Sequence, residues 1–460
     1  MSSPRKSLNT LDRSFLASER RDVMMHVGSL LQFSPPQGRA SDLGRQLRDE
    51  LTRGGKVERP FNLRLLHPDL LTSPLQAWIE DEHFDLEYHV RRSALASPGD
   101  ERELGILVSR LHGTPLDFHR PPWEAHFIEG LEGGRFAIYF KVHHALIDGY
   151  TGMRILMRSF STDPTELDTP MFFARPPLQT ARRAREDVAT FDAVLGAVRD
   201  QAGAAKDIGR ALMNVMRSLR HKDSELVSPL QAPRSVLNQK ITRSRRFATA
   251  QIPIERVKRV ATASKATVND VVLAVTGSAL RRFLQEQDAL PSRSLIAMVP
   301  VNVRPKGDPG GSGNAVGAIL ASLATDLTEP HDRLAAIVAS TRRAKEQLQG
   351  MSKSAIIQYS ALVMAPMMLS FIPGAVGRIR PAFNIVVSNV PGPETPLYFR
   401  GWKLDEMYPL SIPFHGYGLN VTVQSYVGSL GFGFTGCRDT LPHLQRLAVY
   451  SNEAMSDLEA

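Results

Sequence analysis

Residues 139–152 read YFKVHHALIDGYTG, and the interpretation of the whole chain turns on them. The run leading into them, RFAIYFKVHH (135–144), has the alternation of a strand. Successive side chains of a strand point to opposite faces. One face therefore carries Phe136, Ile138, Phe140, Val142 and His144, the other Arg135, Ala137, Tyr139, Lys141 and His143. His144 extends the apolar face and His143 the more polar one. Two such ligands cannot converge on one ion without a break in the strand, which argues against a metal site. After the pair, Asp148 and Gly149 mark a turn into a helix, TGMRILMRSF (151–160). Asp148 is there either a helix cap or a buried anion paired with an arginine. His144 is either a satisfied core histidine or a base. A neutral imidazole with an ordinary pKa of about 6.5, placed where a strand meets a cleft, suits proton transfer.

Around this stretch the first 160 residues alternate strand and helix. MHVGSLLQF (25–33) predicts a strand, SDLGRQLRDELTRGG (41–55) and GDERELGILVSRLHG (99–113) predict helices. WEAHFIEGLEGGRFAIYFKVHH (123–144) predicts two strands joined at Gly133-Gly134. A Pro/Thr-rich linker starts at 162, and an Ala/Arg-rich helical stretch covers 181–221. The second half gives strands in RRFATAQIPI (245–254), SLIAMVPVNVR (294–304), FNIVVSNV (383–390), LNVTVQSYV (419–427) and SLGFGFTG (429–436). It gives helices in NDVVLAVTGSALRRFLQEQ (269–287), HDRLAAIVASTRRAKEQLQ (331–349) and at the C-terminal end. The expected architecture is α+β: an N-terminal lobe over 1–161, a linker and helical connector over 162–240, and a C-terminal lobe over 241–460.

Composition bounds the function. The 460 residues carry a net charge of +9, with 42% hydrophobic and 22% charged residues, an ordinary globular balance with a preference for anionic partners. The basic residues are scattered, with no finger, zipper or aromatic-interleaved basic strip, so nucleic acid is not the expected partner. Cys437 is the sole cysteine, which excludes an intrachain disulfide and a cysteine-based zinc cluster. The N-terminal stretch is too polar for a signal peptide, and a reducing, cytoplasmic setting is expected. The most apolar segment, ALVMAPMMLSFIPGAV (361–376), is too short for a membrane span and contains Pro366 and Pro373. It reads as a core helix or as a methionine wall (Met364, Met367, Met368) against flexible apolar ligands or lipid.

Other motifs are discounted. GFGFTG (431–436) matches a dinucleotide fingerprint literally, but it sits inside a strand and opens no helix. GDPGGSGNAVG (307–317) lacks the Lys-Ser/Thr ending of a P-loop. No G-x-S-x-G and no H-E-x-x-H occurs in the chain.

His143-His144-Ala145-Leu146-Ile147-Asp148-Gly149 resembles the H-H-x-x-x-D-G motif of the CoA-dependent acyltransferase superfamily, which includes chloramphenicol acetyltransferase and peptide-synthetase condensation domains. Together with MHVG (25–28), RPPWE (120–124), VND (268–270), PVNVRP (300–305), SNVPGP (388–393) and HGYGLN (415–420), the chain resembles bacterial wax ester synthase/acyl-CoA:diacylglycerol acyltransferases over nearly its whole length. It departs from them at Pro121-Pro122-Trp123, where the family has Pro-Leu-Trp.

The resemblance implies two chloramphenicol-acetyltransferase-like lobes with an active-site tunnel at their interface. It implies His144 as general base, supported by His143, Asp148, Gly149, Asn269 and Asp270, although the last two also read as a helix cap. Arg304 is expected as the structural partner of Asp148, or else as a surface or phosphate-contacting arginine. The implied reaction is O-acyl transfer from long-chain acyl-CoA, a co-substrate, to a fatty alcohol or diacylglycerol. No covalent acyl-enzyme, no metal and no further cofactor is implied. The alternative is the same chemistry with another alcohol or amine acceptor. Peripheral contact with the inner membrane or storage-lipid inclusions is expected.

Overall fold

The computed structural model describes residues 5–36, 56–175, 231–303, 315–349, 376, 378 and 380–460. The elements in chain order are β1 (Lys6–Ser7), α1 (Thr10–Ser18), β2 (His26–Ser34), β3 (Leu63–Leu65), β4 (Ala77–Glu80), α2 (Leu86–His89), β5 (Val90–Ala94), α3 (Glu101–His112), β6 (Trp123–Glu129), β7 (Phe136–His143) and α4 (Gly149–Met157). The second half holds β8 (Arg245–Pro253), α5 (Ile254–Ala263), α6 (Val268–Gln285), β9 (Ile296–Val303), β10 (Ala315–Ser322), α7 (Pro330–Gln349), β11 (Ile385–Val390), β12 (Tyr398–Phe399), β13 (Trp402–Leu410), β14 (Leu419–Tyr426), β15 (Ser429–Cys437) and α8 (Arg446–Glu459). The helices expected over 41–55 and 181–221, and the methionine-rich segment, lie outside the described residues.

The α+β expectation holds. Two six-stranded sheets dominate, ordered β12-β13-β2-β7-β6-β5 and β10-β9-β11-β14-β15-β8, beside a small sheet β1-β4-β3. The alternation of β7 separates two cores, as its pattern requires. Phe136, Ile138, Phe140 and Val142 pack with Trp123, Phe61, Phe172 and Ile155 on one face. Ala137 and Tyr139 pack on the other with Leu104 and Val108, two positions one turn apart on α3. Asp100 caps α3, its side chain accepting the amide of Glu103 at 2.9 Å.

The second sheet carries α5, α6, α7 and α8 over one large core. Helix α6 is buried on every side over Val271, Val272, Leu273, Ala274 and Val275, as a run apolar all round must be.

The sheets do not divide at the expected lobe boundary. Strands β12 and β13 come from the C-terminal half yet extend the N-terminal sheet, β13 pairing antiparallel with β2 from Lys403↔Ser34 to Leu410↔Gly28. β13 also crosses over β15. A Cβ added at Gly431 would lie 2.4 Å from the Met407 carbonyl oxygen, and one at Gly433 1.9 Å from that of Pro409. Gly431 and Gly433 of GFGFTG are therefore there for close backbone approach between the sheets.

Candidate active site

Strand β7 delivers the histidine doublet to its end, in register with β2 at His26↔His143. The His143 amide donates to the Pro122 carbonyl and the His144 amide to the Met25 carbonyl, both at 2.9 Å. The chain then turns: the amides of Leu146 and Ile147 both donate to the His143 carbonyl. Helix α4 follows, capped by Asp148, whose Oδ1 accepts the Thr151 amide at 2.8 Å and whose Oδ2 accepts the Thr151 hydroxyl at 2.7 Å. Of the two roles open for Asp148, capping is thus the one visible. Gly149 is exposed at the first position of that helix.

The two rings have different surroundings. The His144 ring is half-buried and stacked on Phe15 of α1, with centroids 4.1 Å apart and planes 26° from parallel. Its Nδ1 is buried and has no hydrogen-bond partner among the described residues, leaving the Nε2 edge as the nitrogen available to a reactant. Burial drives the His144 pKa down to about 4, against an upward pull from Asp148; His143 lowers it further and its own backbone carbonyl raises it. The imidazole is consequently neutral across the whole physiological range.

His143 is fully buried. Its Nδ1 accepts the Ala145 amide at 3.1 Å, which places the proton of the neutral ring on Nε2. That nitrogen lies 3.4 Å from Oε2 of Glu19, and the Phe118 ring meets the imidazole edge-on at 5.2 Å.

Beneath the doublet lies a buried polar layer. Lys141 Nζ donates to the carbonyls of Leu111 (3.0 Å) and Thr114 (2.8 Å) at the end of α3 and sits 3.3 Å from Glu124. Burial raises the Glu124 carboxyl, but His126, Lys141 and Arg91 outweigh it and hold its pKa at about 2. The layer anchors α3 to β7 with every charge opposed. Trp123 is wholly buried, its indole donating to the Phe61 carbonyl at 2.7 Å. The segment Pro121–Glu124 thus serves the site through its backbone and core, by way of the Pro122 carbonyl.

The remaining predicted residues sit in the other lobe. Asp270 forms a capping box with Thr267 at the start of α6 and accepts the Thr341 hydroxyl at 2.6 Å. Asn269 accepts the side-chain amide of Asn389 at 2.6 Å, which ties VND to SNVPGP. The hydrogen bonds of both residues run within the second lobe rather than to the doublet. Arg304 lies outside the described residues. Among the described residues no group of three His, Cys, Asp or Glu is arranged to hold a metal ion.

Sequence reasoning missed Phe15, Glu19 and Met25. MHVG stands out as a motif, but Met25 acts through its carbonyl, a contribution that no side-chain pattern announces.

Comparison with known proteins is consistent with this geometry. Residues 8–272 match the wax ester synthase/diacylglycerol acyltransferase catalytic domain, and residues 312–459 its C-terminal domain. A putative diacylglycerol O-acyltransferase of Mycobacterium tuberculosis is 50% identical over 496 residues, covering 100% of this chain and 98% of the relative. The solved wax ester synthase/diacylglycerol acyltransferase of Marinobacter aquaeolei VT8 is 39% identical with a TM-score of 0.78, covering 98% of each chain. The first condensation domain of the CDA synthetase shares the fold, with a TM-score of 0.54 at 18% identity over 100% of this chain and 97% of that one.

Proposed function

The chain belongs to the wax ester synthase/diacylglycerol acyltransferase family, and from that membership we propose that it transfers a long-chain acyl group from acyl-CoA to a fatty alcohol or diacylglycerol. The observation that carries the reading is His144: a neutral imidazole at a strand end, with one face against Phe15 and one nitrogen open.

In the proposed reaction the acceptor hydroxyl gives its proton to His144 Nε2 as its oxygen attacks the thioester carbonyl carbon. The tetrahedral oxyanion collapses with cleavage of the C–S bond, and the imidazolium returns the proton to the departing CoA thiolate. Positioned base catalysis of this kind contributes about 10²–10⁴ in rate. Both substrates must meet away from bulk water, or hydrolysis of the thioester competes. The apolar rings beside the doublet, Phe15 and Phe118, suit that requirement. No acyl-enzyme and no cofactor beyond the co-substrate enters this scheme. An amine or another alcohol as acceptor would use the same steps.

We place the acceptor's source at a lipid surface. No helix among the described residues is long and apolar enough to cross a membrane, so contact would be peripheral, from the cytoplasmic side. Leu70 and Leu75 are 58% and 75% exposed on a turn whose Leu71 packs in the cluster containing Phe15 and Phe118. Buried Gln76 fixes that turn, bonding both the amide and the carbonyl of His67.

The test is thiol release. Palmitoyl-CoA with hexadecanol or diacylglycerol yields free CoA only when acceptor and protein are both present, and a competition between the two acceptors ranks them. Absence of acceptor-dependent thiol overturns the reading.

A further inference from the structure

The loop between α1 and β2, residues 19–25, touches the doublet at more points than any motif suggests. Glu19 closes α1, its amide donating to the Phe15 carbonyl at 3.0 Å. Its side chain folds back, and Oε2 accepts the amide of Met25 at 2.6 Å. Met25 in turn accepts the backbone amide of His144 through its carbonyl at 2.9 Å. The same Oε2 lies 3.4 Å from Nε2 of His143, the nitrogen that carries the proton once Ala145 has claimed Nδ1. One carboxylate oxygen therefore faces both a main-chain link to His144 and the ring of His143.

Local structure explains why a side chain is needed here. The pairing of β2 with β7 begins at His26↔His143, so the Met25 amide falls one residue short of the ladder. Met25 is 4% exposed, and a buried amide without an acceptor is costly. Glu19 supplies the acceptor. The loop is held from outside as well: Arg245 of β8 donates to the Asp22 carbonyl at 2.8 Å, and Val23 and Met25 pack with Ile241 and Cys437. Arg20 and Val23 pair amide to carbonyl within it, at 2.9 and 3.1 Å. What this rigid elbow presents to the site is the Met25 carbonyl beneath His144 and the Phe15 ring against its imidazole.

We propose that Glu19 is a positioning residue for acyl transfer: its carboxylate locks the α1–β2 elbow so that Met25 and Phe15 fix His144. This rests on the reading of His144 as the base. Glu19 never meets substrate in this assignment; it sets where the imidazole stands. Displacement of a reacting group by about 1 Å is enough to cost on the order of 10²-fold in rate.

Two variants separate reach from charge. Glu19→Gln keeps an acceptor oxygen at the same distance without the charge. Glu19→Asp keeps the charge on a side chain one methylene shorter. Kinetics with palmitoyl-CoA and hexadecanol would be read beside amide hydrogen exchange of Met25 and His144, with thermal melting as a check of the fold. The expected result for Glu19→Asp is a kcat lower by about 10–100-fold, with KM for either substrate changed by less than about threefold, and faster exchange at both amides. Glu19→Gln is expected to recover kcat to within about fivefold, with exchange near wild type. Loss in Glu19→Gln with wild-type kcat in Glu19→Asp would overturn the proposal, since charge and not reach would then matter. So would a kcat loss that follows only the folded fraction, or wild-type exchange in Glu19→Asp. If exchange changes as expected but His144→Ala retains turnover, the assignment of the base fails while the Glu19 clamp stands as structure alone.

Discussion

The phenyl ring of Phe15 and the imidazole of His144 lie face to face, 4.1 Å between centroids. This contact strips water from one side of the imidazole, and burial is the largest cause of its pKa of about 4. Phe15→Ala opens that side, so the pKa rises toward its ordinary value of about 6.5. Only the neutral ring accepts a proton, so the acid limb of kcat/KM moves up in pH with it. At about pH 5.5 the wild type keeps most of its activity and the variant loses most of its own. A pH–rate profile checks this, and coincident acid limbs would refute the role of the stack.

His144 and Asp148 act differently and separate on replacement. His144→Ala is expected to lower turnover by about 10²–10⁴ with little change in melting, because the ring is half-buried and its Nδ1 makes no hydrogen bond among the described residues. Asp148→Ala removes the cap of α4 and is expected to cost about 1 kcal/mol of stability. Asp148→Asn retains a good capping side chain and should cost less. Urea unfolding beside thiol release distinguishes the three.

Gly433→Ala places a methyl 1.9 Å from the Pro409 carbonyl oxygen, where two backbones would have to part. A loss of about 1–3 kcal/mol is expected, typical of overpacking. Chemical denaturation measures it, and an unchanged midpoint would show that β13 and β15 are not held as closely as the contact implies.

Leu70→Glu with Leu75→Glu places two charges on the exposed turn without touching the doublet. Binding to vesicles of anionic phospholipid is expected to fall by about tenfold or more, as apolar area is lost and like charge is added. Turnover on a water-soluble short-chain alcohol should stay within about twofold. Unaltered vesicle binding would remove this turn as the lipid contact.

The sequence showed the site where side chains carried the pattern and hid it where the backbone did. The alternation of β7 was legible because each parity has a full core to itself, and Asp148 was legible as a cap because it stands just before the helical run GYTGMRIL. β13 was not: WKLDEMYPL breaks its alternation at a register shift between Leu404 and Glu406, and its partner β2 is remote in the chain. Helix α5 was missed as well, although Val257, Val260 and Ala261 line its buried face, because the strand before it runs without a turn signal to Pro253. Glu19 had no signature at all, since its partner is an amide that every residue but proline possesses. GFGFTG is strand and no nucleotide loop, and the reason for Gly431 and Gly433, a strand crossing above them, exists only in three dimensions.

The passage of β13 into the first sheet also orders events in time. A ribosome releases β2, β7, β6 and β5 long before Trp402–Leu410 has emerged, so one flank of β2 waits unpaired while most of the second lobe is still being translated. Until that late strand arrives, the exposed edge invites pairing with other chains, which makes the nascent polypeptide, rather than the finished enzyme, the form most in need of a chaperone.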